Sequence, residues 1–514
     1  MIIQPRAGVA GNGPQLVLDL ERGLWRRGVP ADHCLRLLHD GIARYPDHVG
    51  LAARLALRRR EMADWQDETP DLAAMILAGG KTSTPLDLHC LLDDPAALAR
   101  AAASTAEHYR GIGAIERPFA RPAVSSRRLR IGYLSGDFRE HALGQLAIGP
   151  IECHDRTRFE IFGYGTLAGD GSALHQRFLA AFDRYHDLHG APAETIVDAI
   201  RHDEIDILVH LSGYTHGGRC EILSARPAPV VVNYLGFPGT LGMACVDYII
   251  GDPVVLGPGM IEHVREAPVL LPDCYQPNLR RAAPSPPGQR RAHDLPEQAL
   301  VLACFCATNK IGAPVFARWM AVLREVPDAV LWLLDHPRTN PGPYLREAAA
   351  RHGVAPDRIV IAPWLTPEAH QARLPLADLA LDTAPYGAHT TGSDMLWAGV
   401  PMVALLGDAF AARVSASLLR AAGLSDLVAT DLDRYEDMIL NLARDRRRLA
   451  ALRRHLVDGR AKLPLFDAPR LTRHLETAFA LMWEAHCAGE QPRGFSVVPL
   501  QGGGSGSEWP NWAR

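Results

Sequence analysis

The sequence predicts two doubly wound α/β domains in series behind a small α-helical segment. Three observations carry this. From residue 128 onward, short runs rich in Val, Ile and Leu alternate with amphipathic stretches, the pattern of a parallel sheet covered on both faces. The alternation stops at 279–298, a proline- and arginine-rich stretch, and then begins again. Before residue 125, apolar residues recur at helical spacing, broken at Pro30 and Pro46.

The chain of 514 residues is long enough for several cores. Its 47% hydrophobic and 22% charged residues are those of a soluble globular protein. A net charge of -4 gives no footprint for a nucleic-acid partner. No apolar run is long enough to cross a bilayer, so no membrane partner is expected. The opening MIIQPRAGVAGNGPQ has no apolar signal core, and the expected location is cytoplasmic. The nine cysteines show no zinc-like pairing. Cys304 and Cys306 read as small core hydrophobes, and no metal site is expected.

Taken in order, residues 14–125 form the helical segment, with helices expected over 15–27, 31–45 and 49–63. The first α/β domain is expected over 127–278. Its strands are RLRIGYLSGDF, FEIFGYGT, IDILVHLSG, PVVVNYLG, VDYIIGD and APVLLP, with a helix over 191–202. The linker is 279–298. The second domain spans 299–486: strand ALVLACFC, helix 314–325, strand AVLWLLD, a helix through Ala349, strand RIVIAPW and helix Pro367–Arg373. Helices from Arg413 to about Ala485 complete it, and 487–514 is expected to be a flexible tail.

The most informative stretch is 376–403, LADLALDTAPYGAHTTGSDMLWAGVPMV. It reads as a buried strand, a loop punctuated by Pro385, Tyr386 and Gly387, a short helix closed by Gly399, and another strand. A helix start presents unpaired N–H groups and partial positive charge, a natural seat for phosphate. Thr390 and Thr391 add hydroxyl donors, and Asp394 can accept from a sugar diol. The alternative is that Thr390 or Ser393 simply caps the helix.

The ordered motifs GYLSGDFREH, GYTHGGR, ARPAPVVVNYLGFPGTLG, VDYIIGDP, NKI, VLWLLDHP and LDTAPYGAHTTGSDMLWAGVPMV resemble those of the protein O-linked N-acetylglucosamine transferase and SPINDLY family. The resemblance covers roughly 127–485. It extends weakly into the helical segment, where DWQD near Trp65 is similar to the piece before the catalytic region. The Ala43-Arg44-Tyr45-Pro46 step is similar to part of a tetratricopeptide unit, so a shortened TPR-like segment is expected. The resemblance implies a GT-B fold, with two Rossmann-like domains facing a cleft. It also implies a UDP-sugar donor, a protein or peptide acceptor, inversion, and no cofactor or required metal. The HTTG-x-D form resembles the UDP-sugar branch rather than SPINDLY-type fucosyltransferases.

The same resemblance assigns roles. Lys310 would neutralise the leaving diphosphate, as a compact cation can. His141 would sit by the sugar as a candidate general base, with Asp203 as a rival. His370 would stack on the uracil, with Arg373 one turn later either near the same ligand or solvated. His389, Thr390, Thr391 and Asp394 would hold diphosphate and ribose. Gly236, Pro238, Gly239 and Thr240 would form a loop near donor sugar and acceptor, or an ordinary strand-ending turn. Tyr214, with Gly213 and Thr215, lies at a similar strand end. Arg219 and Arg226 are site cations or loop anchors, anchoring being preferred for Arg226. Pro367 stands where some relatives have a nucleoside-contacting lysine, and Cys306 or Ala307 stands where many have an amide-bearing residue. Asp431 and Asp433 read as a helix cap rather than a metal-binding pair. The expected activity is transfer of a sugar, N-acetylglucosamine foremost, to Ser or Thr of a protein. The alternatives are a UDP-glucose-dependent glucosyltransferase acting on Asn or Ser/Thr, and a non-catalytic peptide- or nucleotide-binding scaffold.

Overall fold

The computed structural model describes residues 13–65, 85–110, 119, 127–281, 288–336 and 339–500. Gln66 and Asp67 of the DWQD motif, part of the linker and the end of the expected tail lie outside the described residues.

The helical segment begins with Gly13–Arg26, Ala31–Arg44 and Val49–Glu61, then Pro85–His89 and Pro95–Tyr109. His48 Nδ1 accepts from the Leu51 N–H at 3.2 Å, and Asp94 Oδ1 accepts from the Ala97 N–H at 3.0 Å. Each supplies a partner for an orphan first-turn donor. The segment docks on the second α/β domain through Trp65. Its indole N–H donates to the Ile311 carbonyl at 3.0 Å, and its ring packs 4.8 Å from Phe316.

The first sheet holds β1 (Leu129–Ser135), β2 (Phe159–Gly165), β3 (Arg184–Asp187), β4 (Ile207–His210), β5 (Val230–Asn233), β6 (Tyr248–Gly251) and β7 (Ala267–Leu270). The second holds β8 (Leu300–Cys304), β9 (Ala329–Leu334), β10 (Ile359–Ala362), β11 (Leu379–Leu381), β12 (Met402–Leu405) and β13 (Val428–Ala429). A last strand, β14 (Phe495–Ser496), returns to the first sheet. The orders are β14-β7-β6-β5-β4-β1-β2-β3 and β10-β9-β8-β11-β12-β13, and the pairings between these strands are parallel. β4, β5, β6 and β8 are buried along their whole length, which explains their unbroken apolar runs.

In each sheet the chain reverses its direction of travel once, between β1 and β4 and between β8 and β11. Ligands of open parallel sheets bind beyond the strand carboxyl ends at such points. His141 follows β1, Lys310 follows β8, and the 382–390 loop follows β11.

Some elements escaped the sequence reading. β3 is RYHD, a partly exposed strand at the end of the sheet with no apolar run. The helix Ala142–Cys153 is apolar nearly all round and contains Pro150, so it shows no helical stripe. The expected flexible tail is corrected for its first part: Phe495 pairs with Val269, and Val497 is buried.

Candidate functional site

A cavity of about 530 Å³ lies between the two sheets' carboxyl ends. It is large enough for a nucleotide. From the first domain it is lined by Glu140, His141 and Gln145. From the second it is lined by Trp364, His370, Arg373, Thr390, Thr391 and Asp394. Asn278, Leu279 and Arg281 line it from the connection between the domains.

The helix mouth comes first. Thr390–Trp397 begins after a loop held by Asp382, a fully buried carboxylate. Asp382 accepts from the N–H groups of Thr383 (2.9 Å), Ala388 (2.7 Å) and Leu405 (3.3 Å) and from the Ser415 hydroxyl (2.8 Å). Burial pushes its carboxyl up to about 6, against the opposing pull of those donors. The helix N-cap position is His389, and its side chain makes no capping bond. This corrects the alternative in which Thr390 or Ser393 caps the helix. Both lie inside it, and the Ser393 hydroxyl turns back to the Thr390 carbonyl at 2.9 Å. The first-turn N–H groups are therefore left without a side-chain cap, and Thr390 and Thr391 border the cavity. His389 itself does not line it. Its Nε2–H donates to the Ala411 carbonyl at 3.0 Å, and burial, then Lys310, holds the ring well below the usual histidine range.

Lys310 stands behind the same loop. Its ammonium lies 3.7 Å from the Tyr386 ring centroid and 3.4 Å from the Gly387 carbonyl oxygen. It is not among the residues lining the cavity; the loop it packs on leads into the helix Thr390–Trp397, whose first residues do line it.

His370 is half-buried on the helix Pro367–Arg373, which Thr366 caps. Its Nδ1 accepts from Arg373 Nε at 3.2 Å and Nη2 at 2.8 Å. The ring therefore carries its proton on Nε2 when neutral. Burial, then the Arg373 charge, pushes its pKa down to about 4, so a neutral face is available at physiological pH. Arg373 is 1% exposed and also donates to the Pro363 carbonyl at 2.7 Å. It is not solvated, against one of the two expectations above, and it borders the cavity from behind His370. It fixes the histidine.

His141 is the N-cap of Ala142–Cys153, with its Nδ1 3.2 Å from the Leu143 N–H and 3.5 Å from Asp137 Oδ2. Its side chain is 48% exposed. When Nδ1 accepts from Leu143, the neutral ring offers Nε2–H to the cavity as a donor. When Nδ1–H turns to Asp137, Nε2 is free to accept a proton.

Other candidates sit elsewhere. The rival base Asp203 is buried. It accepts from Tyr164 Oη (2.8 Å), Arg184 Nη1 (2.7 Å) and His186 Nε2 (2.7 Å), and it does not line the cavity. Tyr214 donates its hydroxyl to the Leu241 carbonyl at 2.6 Å. Thr240 gives its hydroxyl to Glu266, and the Gly239 carbonyl accepts from Asn233 Nδ2 at 2.9 Å. Gly236 is packed so tightly that a Cβ would lie 2.2 Å from the Leu211 carbonyl oxygen. The loop of Gly236, Pro238, Gly239 and Thr240, with Tyr214, is thus held by internal bonds and lies outside this cavity. Gly239 and Thr240 instead border a small void beside His89. A larger hollow of about 910 Å³ between Pro95–Tyr109 and the first domain gathers none of the expected site residues except Thr240. Arg226 pairs with Asp247 at 2.9 Å and is an anchor, and Arg219 pairs with Glu221. Asp431 caps the helix Leu432–Arg444, accepting from the Arg434 N–H at 2.7 Å. Among the described residues there is no cluster of three or more His, Cys, Asp or Glu that could hold a metal. None of their helices is long and apolar enough to cross a membrane.

Sequence reasoning missed several cavity residues, among them Trp364, Gln371 and Arg281. Trp364 is 60% exposed and lies just past the carboxyl end of β10, a position that could have flagged it. Gln371 hydrogen-bonds Asp394. Arg281 forms a salt bridge with Asp394 from the linker, and no sequence signal marks a contact across 113 positions.

A family model described as "Glycosyl transferase family 41" matches residues 108–275 and 287–475. A probable UDP-N-acetylglucosamine–peptide N-acetylglucosaminyltransferase SEC of Arabidopsis thaliana is 37% identical over 396 residues, 74% of this chain and 40% of that protein. The SPINDLY protein of the same plant, described with the same activity, is 31% identical over 71% of this chain and 40% of its own length. The chain therefore spans about 40% of the length of these curated relatives. The structure of a mutant O-GlcNAc transferase from Thermobaculum terrenum superposes with a TM-score of 0.76 at 30% identity, covering 93% of this chain and 96% of that one.

Proposed function

The chain belongs to glycosyl transferase family 41, and from that premise we propose that it moves N-acetylglucosamine from UDP-N-acetylglucosamine to serine or threonine hydroxyls of a protein. The transfer inverts the anomeric carbon and uses no metal ion. The observation that carries the reading is the cavity itself, where a first-domain histidine, His141, faces the neutral His370, the open helix mouth at Thr390 and Thr391, and Asp394.

Uracil stacks on the His370 face and the ribose diol donates to Asp394. The diphosphate sits at the helix mouth, where N–H groups, two hydroxyls and the nearby Lys310 offset its charge. The acceptor hydroxyl attacks the anomeric carbon as the bond to the phosphate oxygen breaks. The electron pair leaves with UDP, and the hydroxyl proton passes to His141 Nε2, in the tautomer whose Nδ1–H faces Asp137, or to water. Cation and helix dipole replace the metal of other glycosyltransferases.

The experiment is turnover of UDP-sugars with co-expressed acceptor proteins, followed by intact-mass analysis. A gain of one N-acetylhexosamine on an acceptor, lost on mild base elimination, is expected. A hexose gain identifies a glucosyltransferase. Nucleotide binding without any transfer identifies a scaffold.

A further inference from the structure

The connection leaving β7 is stitched along the helix Thr390–Trp397. Gln276 Nε2 donates to the Ser393 hydroxyl at 3.3 Å and to Asn278 Oδ1 at 3.2 Å, and Asn278 Nδ2 returns to the Gln276 carbonyl at 3.1 Å. One residue further along that helix, Asp394 is paired with Arg281. The connection thus grips two consecutive residues of the helix that opens the site, and Asn278, Leu279 and Arg281 form part of the cavity wall.

Among the described residues, two guanidinium groups line this cavity. That of Arg373 is committed to Pro363 and His370. Among the described residues, that of Arg281 reaches the one carboxylate that faces the nucleotide seat, and it keeps 31% of its side chain exposed. Building on the donor reading above, we propose that Arg281 is a positioning residue for donor binding: from the segment between the two domains it holds the Asp394 carboxylate in the attitude that accepts the ribose diol. A carboxylate has about four acceptor sites, so it can keep the guanidinium and the Gln371 amide while taking hydroxyl donors. Arg281 also ties the nucleotide seat to the interdomain connection, so a filled seat steadies that connection.

Burial pushes the Asp394 carboxyl up from its usual range, and Arg281 and Gln371 oppose this. Without the guanidinium the carboxyl takes its proton at higher pH. A protonated acid is a poorer acceptor for a diol. Binding that depends on Asp394 therefore fails at higher pH when Arg281 is removed. The other titratable or charged groups around the cavity are His370, Arg373, Glu368, His141 and Glu140. Their effects are common to ligands with and without the diol, so the comparison below subtracts them.

The test is calorimetric titration of the full chain with UDP and with 2′,3′-dideoxy-UDP from pH 5 to 8. Wild type, Arg281→Ala and Arg281→Lys are compared, with Arg281→Gln in place of a non-folding alanine variant. Removing the guanidinium is expected to weaken UDP about tenfold at pH 7 and to leave the dideoxy ligand nearly unchanged. The acid limb of UDP binding should rise by about one pH unit. Lysine should restore most of both effects. Equal losses for the two ligands with an unmoved acid limb, or no loss, overturn the inference while the donor reading stands. UDP that fails to bind wild type at any pH overturns both.

Discussion

The Lys310 ammonium lies 3.7 Å from the centre of the Tyr386 ring, above the loop that leads into the helix mouth. Among the described residues its ammonium meets a ring face and one carbonyl and forms no salt bridge. A ring face and a carbonyl do not neutralise a cation as a carboxylate would, so it can still attract an incoming anion. Lys310→Ala is expected to fold normally by thermal melting and to lose about 10²-fold or more in kcat, the scale of removing a transition-state charge partner. If the proposed mechanism holds, with cation and helix mouth in place of a metal, wild-type turnover should be unchanged by chelator. Steady-state assays check both.

The His370–Arg373 pair makes a pH prediction. The His370 pKa is pushed from its ordinary 6.5 down to about 4, first by burial and then by Arg373. Between those values the unfolded chain binds more protons than the native one, so this group's contribution to stability is lost as pH falls through that window. Arg373→Met removes the cation and both bonds to Nδ1. UDP affinity should then fall as pH drops from 7 to 5, where wild type stays flat for this group. Calorimetry and an NMR titration of the ring would read this.

Asp203 separates stability from catalysis. Its three donors hold its pKa below the ordinary carboxylate value of 3.8 despite burial. The stability it contributes is present above that value and lost as pH falls through the lowered one. Asp203→Ala leaves Arg184 and His186 unpaired and should cost about 2–4 kcal/mol. The kcat of the folded variant should be unchanged. A selective loss of kcat would restore its candidacy as base.

Asp382 acts through the loop it shapes. Its carboxyl lies near 6 rather than 3.8, so the native state holds the extra proton between those values and this group's contribution falls as pH rises across them. Asp382→Asn replaces one acceptor oxygen with a donor that faces N–H groups. The melting temperature should drop, its pH dependence between 4 and 6 should flatten, and UDP affinity should weaken about tenfold as the loop before Thr390 loosens. Melting curves from pH 4 to 7, with UDP titration, check this.

The apolar runs of β4, β5, β6 and β8 were legible because a strand covered on both faces must be apolar throughout. The strand–loop–helix of 376–403 was legible because its glycine, prolines and hydroxyl residues have local conformational causes. β3 was not, because a half-exposed four-residue strand is chosen by its neighbour β2 and not by its own composition.

Sequence alone determined the two parallel-sheet domains, the helix mouth and the types of residue near it, since period and turn chemistry are written over short spans. Tertiary structure decided which of them share one cavity. It set Arg373 against His370, engaged Thr240 and Tyr214 in internal bonds, and brought Arg281 to Asp394. Those outcomes depend on where distant segments meet once the sheets twist and pack, and a side chain's partner is set by that meeting rather than by its neighbours along the chain.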